Sequence, residues 1–260
     1  MLAVTALTAA TVAVSLRPDR STVTLGSLRQ LWSDALCDAD QPGMRLTRLS
    51  AAEEMRLGAD LAAAIRWPDQ PEPAERVTRV AGKLLPHIRR RGIEYHFRVV
   101  AAPVPNAFAL PGGQIQVTAG MLDFVRSDDE LAEIVGHEIA HVDLRHAVER
   151  YQYQYRLGSL GGLVEMTHRV ATMPFSVDQE LDADAEGLRL AVAGGYNPAA
   201  AATVFARLQE EFPEPGGPQA NTPAGEVAES MGGVIFSFFR THPPSAERAR
   251  RLRELSARRR

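Results

Sequence analysis

Two histidines four residues apart, with a glutamate beside the first, are the side chains of this sequence best suited to chemistry: His137-Glu138-Ile139-Ala140-His141. On a helix, positions four apart share a face, one turn above the other. Two neutral imidazoles so placed can share one zinc ion, with Glu138 beside them to take the proton of an activated water. Three fixed positions in five also arise by chance in helical proteins, so the weight falls on what else the chain supplies. A catalytic zinc takes three protein ligands and keeps one position open. The extended pattern that adds a third histidine fails here, because Leu144 stands in place of its glycine and Ala147 in place of its histidine. His146 is one place off and, on a continued helix, on the wrong face. A carboxylate from a second helix is the remaining common solution. Glu180, 39 residues after His141 and near the start of its own helix, suits that role. Asp184, one turn on and on the same face, could accept a hydrogen bond from the free N–H of a ligand histidine. The alternative is a solvated acidic helix face, since Asp178, Asp182 and Glu186 are close by and early acidic residues favour the helix dipole.

The elements that must position these residues are readable from punctuation and periodicity. Ser127-Asp128-Asp129-Glu130 forms a capping box directly ahead of Leu131, Ile134, Val135 and Ile139, which predicts a buried helix from Ser127 to about Tyr151. Gly136 inside it costs roughly 1 kcal/mol against alanine, which points to close approach of a neighbouring element. Ser176 to Gln179 caps a second helix that carries Glu180 and Asp184 and ends at Gly194-Gly195. Upstream, Ser50 to Glu53 opens a helix to about Arg66, and a second runs from about Ala74 to Arg91 with Pro86 kinking it. Strands are expected at 94–102, 106–110 and 114–118, with a Pro111-Gly112-Gly113 turn before the last and a short helix over 120–126. The alternation in Gln114-Ile115-Gln116-Val117-Thr118 suggests one wet face, as at a sheet edge. Further helices are expected at 158–170, at 197–212 with Asn197 as cap and Pro198 first, and at 246–257, with partial helix at 225–240 and a loop over 213–224.

Composition bounds the class. The 260 residues are 45% hydrophobic and 23% charged, enough for one sizeable core. The net charge of −3 supplies no whole-chain field for nucleic acid. Cys37 is the only cysteine, so neither an intramolecular disulfide nor a cysteine metal site can form. Met1 to Leu16 is apolar and uncharged, the length of a secretory h-region and short of a membrane span. A basic n-region is missing, which leaves open a misassigned start or a segment that is no signal. Export is the expectation, with residues 1–16 cleaved or kept as an anchor and 17–45 a linker or peripheral extension.

Taken together, Asn106-Ala107-Phe108-Ala109-Leu110-Pro111-Gly112-Gly113, the His-Glu-x-x-His helix, Glu180-x-x-Ala183-Asp184 and Thr241-His242-Pro243 resemble the CAAX prenyl protease and HtpX-type zinc metallopeptidases. Within that gluzincin family they are most similar to exported BepA-like and mitochondrial OMA-like members. The resemblance covers about residues 46–257. It implies an α+β fold, a mostly helical zincin-like domain with a small sheet whose edge strand borders the active-site cleft. It also implies one zinc per chain, bound by His137, His141 and Glu180, with Glu138 as general base and Asp184 orienting a ligand histidine. Gln114, Ile115, Gln116 and Val117 would pair with substrate, and His242 would be a removable fourth ligand. The implied activity is endopeptidase cleavage of exported, unfolded or misassembled polypeptides. The competing expectation is a non-proteolytic, chaperone-like scaffold that retains the fold.

Overall fold

A computed structural model describes residues 48–64, 71–149, 151, 175–211, 242 and 246–258. The expectations for residues 1–45, 158–170 and 213–240 lie outside these, as does Cys37. Seven helices and three strands are described: α1 (Ala51–Ala64), α2 (Pro71–Leu84), β1 (His96–Val100), β2 (Ala107–Ala109), β3 (Gln114–Thr118), α3 (Ala119–Phe124), α4 (Asp128–Asp143), α5 (Val177–Ala193), α6 (Ala199–Glu211) and α7 (Ala246–Arg258). This is a mostly helical α+β domain built around α4.

Almost every residue of α4 is buried, because neighbours lie on all sides. Leu131, Ile134, Val135 and Val142 join a core with Val77, Val80 and Leu84 of α2, Ile115 and Val117 of β3, Leu190 of α5 and Val204 and Leu208 of α6. The crossing of α4 and α5 explains the costly glycine. A Cβ on Gly136 would stand 3.0 Å from the carbonyl oxygen of Gly187, and one on Gly187 would stand 2.8 Å from the backbone nitrogen of His137. The two backbones therefore touch where the first histidine leaves its helix.

The sheet corrects one expectation. Its order is β1-β3-β2, with β3 parallel to β1 and antiparallel to β2. Gln114–Thr118 is thus the central strand, and its backbone is hydrogen-bonded on both sides. Nor is one face wet: Gln116 is 1% exposed, since α1 packs onto β3 and onto the Pro111–Gly113 turn. Polar alternation misled because the helix that covers the polar face precedes it by some fifty residues. The strand of the sheet packed against α4 is β2, at the edge. Gly112 permits the turn before β3, having φ +67° and a position only 2.4 Å from Met55 Cα for any added Cβ.

Two helices stop earlier than their patterns suggest. α2 ends at Leu84 and passes into a 3-10 turn, Leu85–His87, because Pro86 offers no N–H and its ring clashes with the preceding turn. α4 ends at Asp143, well short of Tyr151. Arg145 has φ +71°, a left-handed residue that satisfies a helix-end carbonyl through its N–H to Val142 O. Helix resumes at 146, after the turn at 144–145. The caps form largely as read. Ser50 with Glu53 and Ser176 with Gln179 make full capping boxes. Ser127 accepts from Glu130 N, but the Glu130 carboxylate reaches Arg126 N and Arg207 instead of closing the box.

Candidate metal centre

His137, Glu138 and His141 leave α4 into one buried space, and α5 presents Glu180 to the same space from its first turn. His137 Nε2 and His141 Nε2 are 3.1 Å apart. Glu180 Oε2 lies 3.3 Å from His137 Nε2, and its Oε1 lies 3.5 Å from His141 Nε2. His242 enters between the two helices, with Nδ1 3.2 Å from His137 Nε2 and 2.9 Å from Glu180 Oε1. Two ligands at about 2.0–2.1 Å from a common tetrahedral metal are themselves roughly 3.3 Å apart. The contacts of 2.9–3.5 Å are close to that spacing, and one donor atom from each of the four buried residues lies within 4.8 Å of the others.

Glu138 is fully buried, and neither carboxylate oxygen has a hydrogen-bond partner among the described residues. Its Oε1 lies 3.3 Å from His242 Nε2. A buried carboxylate without such bonds is costly. It stands where a proton acceptor for a reacting water would be needed.

The surrounding charges set the ionisation of the donors. Burial alone would lower the pKa of His137, but the Asp184 and Glu180 carboxylates outweigh it and raise the imidazole to about 9. Asp184 Oδ1 sits 3.1 Å from His137 Nδ1, the nitrogen turned away from the other donors. Burial drives His141 the other way, well below its ordinary value despite Glu180, which favours the neutral imidazole. Burial opposes the charge on Glu180, yet Arg248 and then His242 hold its carboxyl well below the usual range.

The model of peptidase family M48 matches residues 71–164 and 158–256, and with them every residue of this centre. The chain belongs to peptidase family M48. It is 28% identical over 190 residues to the mitochondrial metalloendopeptidase OMA1 of Schizosaccharomyces pombe, covering 68% of this chain and 51% of that protein. It is 30% identical over 220 residues to the metalloprotease LoiP of Escherichia coli, covering 78% and 77%. To the beta-barrel assembly-enhancing protease of Escherichia coli it is 22% identical over 216 residues, covering 73% and 44%. The chain thus spans about half or less of the length of several relatives it matches, including both OMA1 proteins of fission yeast and Arabidopsis thaliana. M48 proteins are metallopeptidases, and the clustered donors could hold such a metal.

The structure brings together His137, Glu138, His141, Glu180, Asp184 and His242. It leaves Gln116 and Val117 buried in the middle of the sheet. Sequence reading missed three further members of this M48 centre. Arg248, on the strongly charged last helix, is 5% exposed and grips Asp184 with two bonds of 2.8 Å. Its Nη1 also lies 2.7 Å from Glu180 Oε2. One arginine among many in Ala246–Arg258 carries no local mark of burial; only its place six residues after His242 sets it apart. Phe175 stacks on His141 with ring centroids 3.6 Å apart. His146 lies beside His141, on a segment expected to continue α4.

Proposed function

We propose that this chain is a zinc-dependent endopeptidase with one zinc per chain. The observation that carries this reading is the convergence of His137, His141 and Glu180 from two packed helices, with Glu138 buried beside them. Two imidazoles and a carboxylate are a donor set suited to catalytic zinc. A zinc ion there would supply Lewis-acid polarisation of the scissile carbonyl and would acidify a water. Glu138 accepts the proton of the attacking water and delivers it to the leaving amine. Arg248 holds Asp184 and Glu180 as anions in fixed orientations, and Asp184 in turn fixes the ring of His137.

With His242 in place, all four donor positions are protein atoms, as in a closed site. His242 is then the removable ligand: it must leave before Glu138 can act on a water or peptide. This closed arrangement also favours the second reading, a scaffold that retains the fold without cleaving. The substrate class in this reading is a misassembled or unfolded polypeptide outside the cytoplasm, as the family resemblance implies; one relative is named for enhancing β-barrel assembly. No helix among the described residues is long and apolar enough to cross a membrane. In this reading any membrane association runs through residues 1–16, and the peptidase domain spans 46–257.

Glu138→Gln separates peptidase from scaffold. The variant keeps its metal and its fold and loses about 10²–10⁴ of the rate of peptide hydrolysis. Undiminished cleavage of an unfolded protein substrate by Glu138→Gln would sink the peptidase reading.

A further inference from the structure

The two ligand histidines are held from behind by different chemistry. His137 has the Asp184 carboxylate at its Nδ1. His141 has another imidazole: His146 Nδ1 lies 3.2 Å from His141 Nδ1, both rings are buried, and their planes meet at 66° with centroids 5.2 Å apart. We propose that His146 is a positioning residue for the metal centre, accepting the Nδ1–H of His141 and so fixing the tautomer that turns His141 Nε2 toward the metal. The inference rests on the metal reading above.

The chemistry constrains both rings. His141 faces His137, Glu180 and the centre with Nε2. A neutral imidazole that gives Nε2 to a metal must carry its proton on Nδ1. That proton needs an acceptor in a buried site, and among the described residues His146 Nδ1 lies within hydrogen-bond distance of it. His146 must then be neutral, with its own proton on Nε2.

The backbone is shaped for this contact. On a continuous helix, position 146 would point about 140° away from position 141, since five residues turn through 1.4 helical turns. The left-handed Arg145 breaks the helix and returns the chain so that the next side chain faces the motif. That conformation is strained for a non-glycine residue. Arg145 is tied in place by Nη2 donating to Leu49 O at 3.3 Å and by Nη1 lying 3.6 Å from Glu54 Oε2. A chain of contacts thus runs from α1 through Arg145 and His146 to His141.

Two measurements test the proposal. In the zinc-loaded wild type, long-range nitrogen–proton NMR of the imidazoles reads each tautomer directly. His146 is expected to be protonated at Nε2 and bare at Nδ1, and His141 protonated at Nδ1; a proton on His146 Nδ1 overturns the assignment. Zinc affinity, measured by competition with a chromophoric chelator, is then compared for His146→Phe and His146→Asn, with the thermal midpoint of each metal-free protein recorded alongside. His146→Phe keeps a ring and removes the acceptor, so affinity should fall about 10–100-fold. Asparagine restores an acceptor near the position of Nδ1, and its affinity should return to within about threefold of wild type. Unchanged affinity in His146→Phe, or equal loss in both variants, overturns the role. Should the phenylalanine variant fail to fold, the tautomer measurement still decides. A wild type that binds no zinc would overturn both this inference and the metal reading, whereas zinc binding indifferent to His146 would overturn this inference alone.

Discussion

At the scale of single residues, the centre is a set of donors whose ionisation is imposed by neighbours. Arg248 keeps Glu180 and Asp184 anionic in a site where burial opposes charge, and those anions act on His137. In the proposed reading His242 is the residue that separates a working enzyme from a closed one. If it fills the fourth position most of the time, His242→Ala should raise kcat/KM on an unfolded substrate. The factor is the inverse of the open fraction, on the order of tenfold. Cleavage unchanged or reduced in that variant would contradict a blocking role. His137, Glu138 and His141 were legible because their spacing matches the helical period. Glu180 was legible as a carboxylate near the start of a second capped helix, although Asp178, Asp182 and Glu186 beside it left a solvated acidic face as the alternative. Arg248 and His146 were not legible. The burial of Arg248 depends on a tertiary contact with Asp184 sixty-four residues away. The approach of His146 depends on one left-handed residue that no glycine announces.

At the scale of elements, the geometry of the donors is the geometry of the α4–α5 crossing. Gly136 and Gly187 let the two backbones touch, and the histidines of one helix meet the glutamate of the other only at that separation. Gly187→Ala places a Cβ 2.8 Å from His137 N, against backbone that cannot rotate away. Overpacking of this kind costs about 1–3 kcal/mol. Urea denaturation of the metal-free variant should show a lowered midpoint with an unchanged slope, and zinc affinity should fall with it. Stability within about 0.5 kcal/mol of wild type would mean the helices have room to part. The sequence announced Gly136 as a packing feature, and its partner Gly187, equally inside a helix, went unremarked. β3 shows the opposite failure. Its alternating pattern implied an open face, and the cover came from α1, an element remote in sequence.

At the scale of the whole molecule, helices from distant parts of the chain are tied to α4 by partly buried ion pairs. Arg207 of α6 holds Glu130 at the start of α4 with Nη1 at 2.7 Å and Nη2 at 3.0 Å. Burial would raise the Glu130 pKa, but the hydrogen bonds from Arg207 and Arg126 N lower it below its ordinary 4.5. A depressed carboxyl contributes stability that is present above its unfolded value and is lost as pH falls through the folded one. The wild type should therefore lose stability as pH drops below about 4.5, and Glu130→Gln should show a shallower loss over the same range. Urea midpoints followed from about pH 6 to pH 3 test this; parallel slopes in the two proteins would contradict it. Fold class followed from the sequence because one domain's worth of capped helices surrounds a few short β-branched segments. The order of the strands did not, since nothing local in Gln114–Thr118 reveals how many neighbours it has.

The central claim is that His137, His141 and Glu180 bind one zinc. The most direct test is the zinc content per chain of wild type and Glu180→Ala, both purified without chelators and checked for folding. The account predicts about one zinc in the wild type and a large loss in the variant. Equal zinc in both would show Glu180 is not a ligand, and none in the wild type would contradict the metal centre itself.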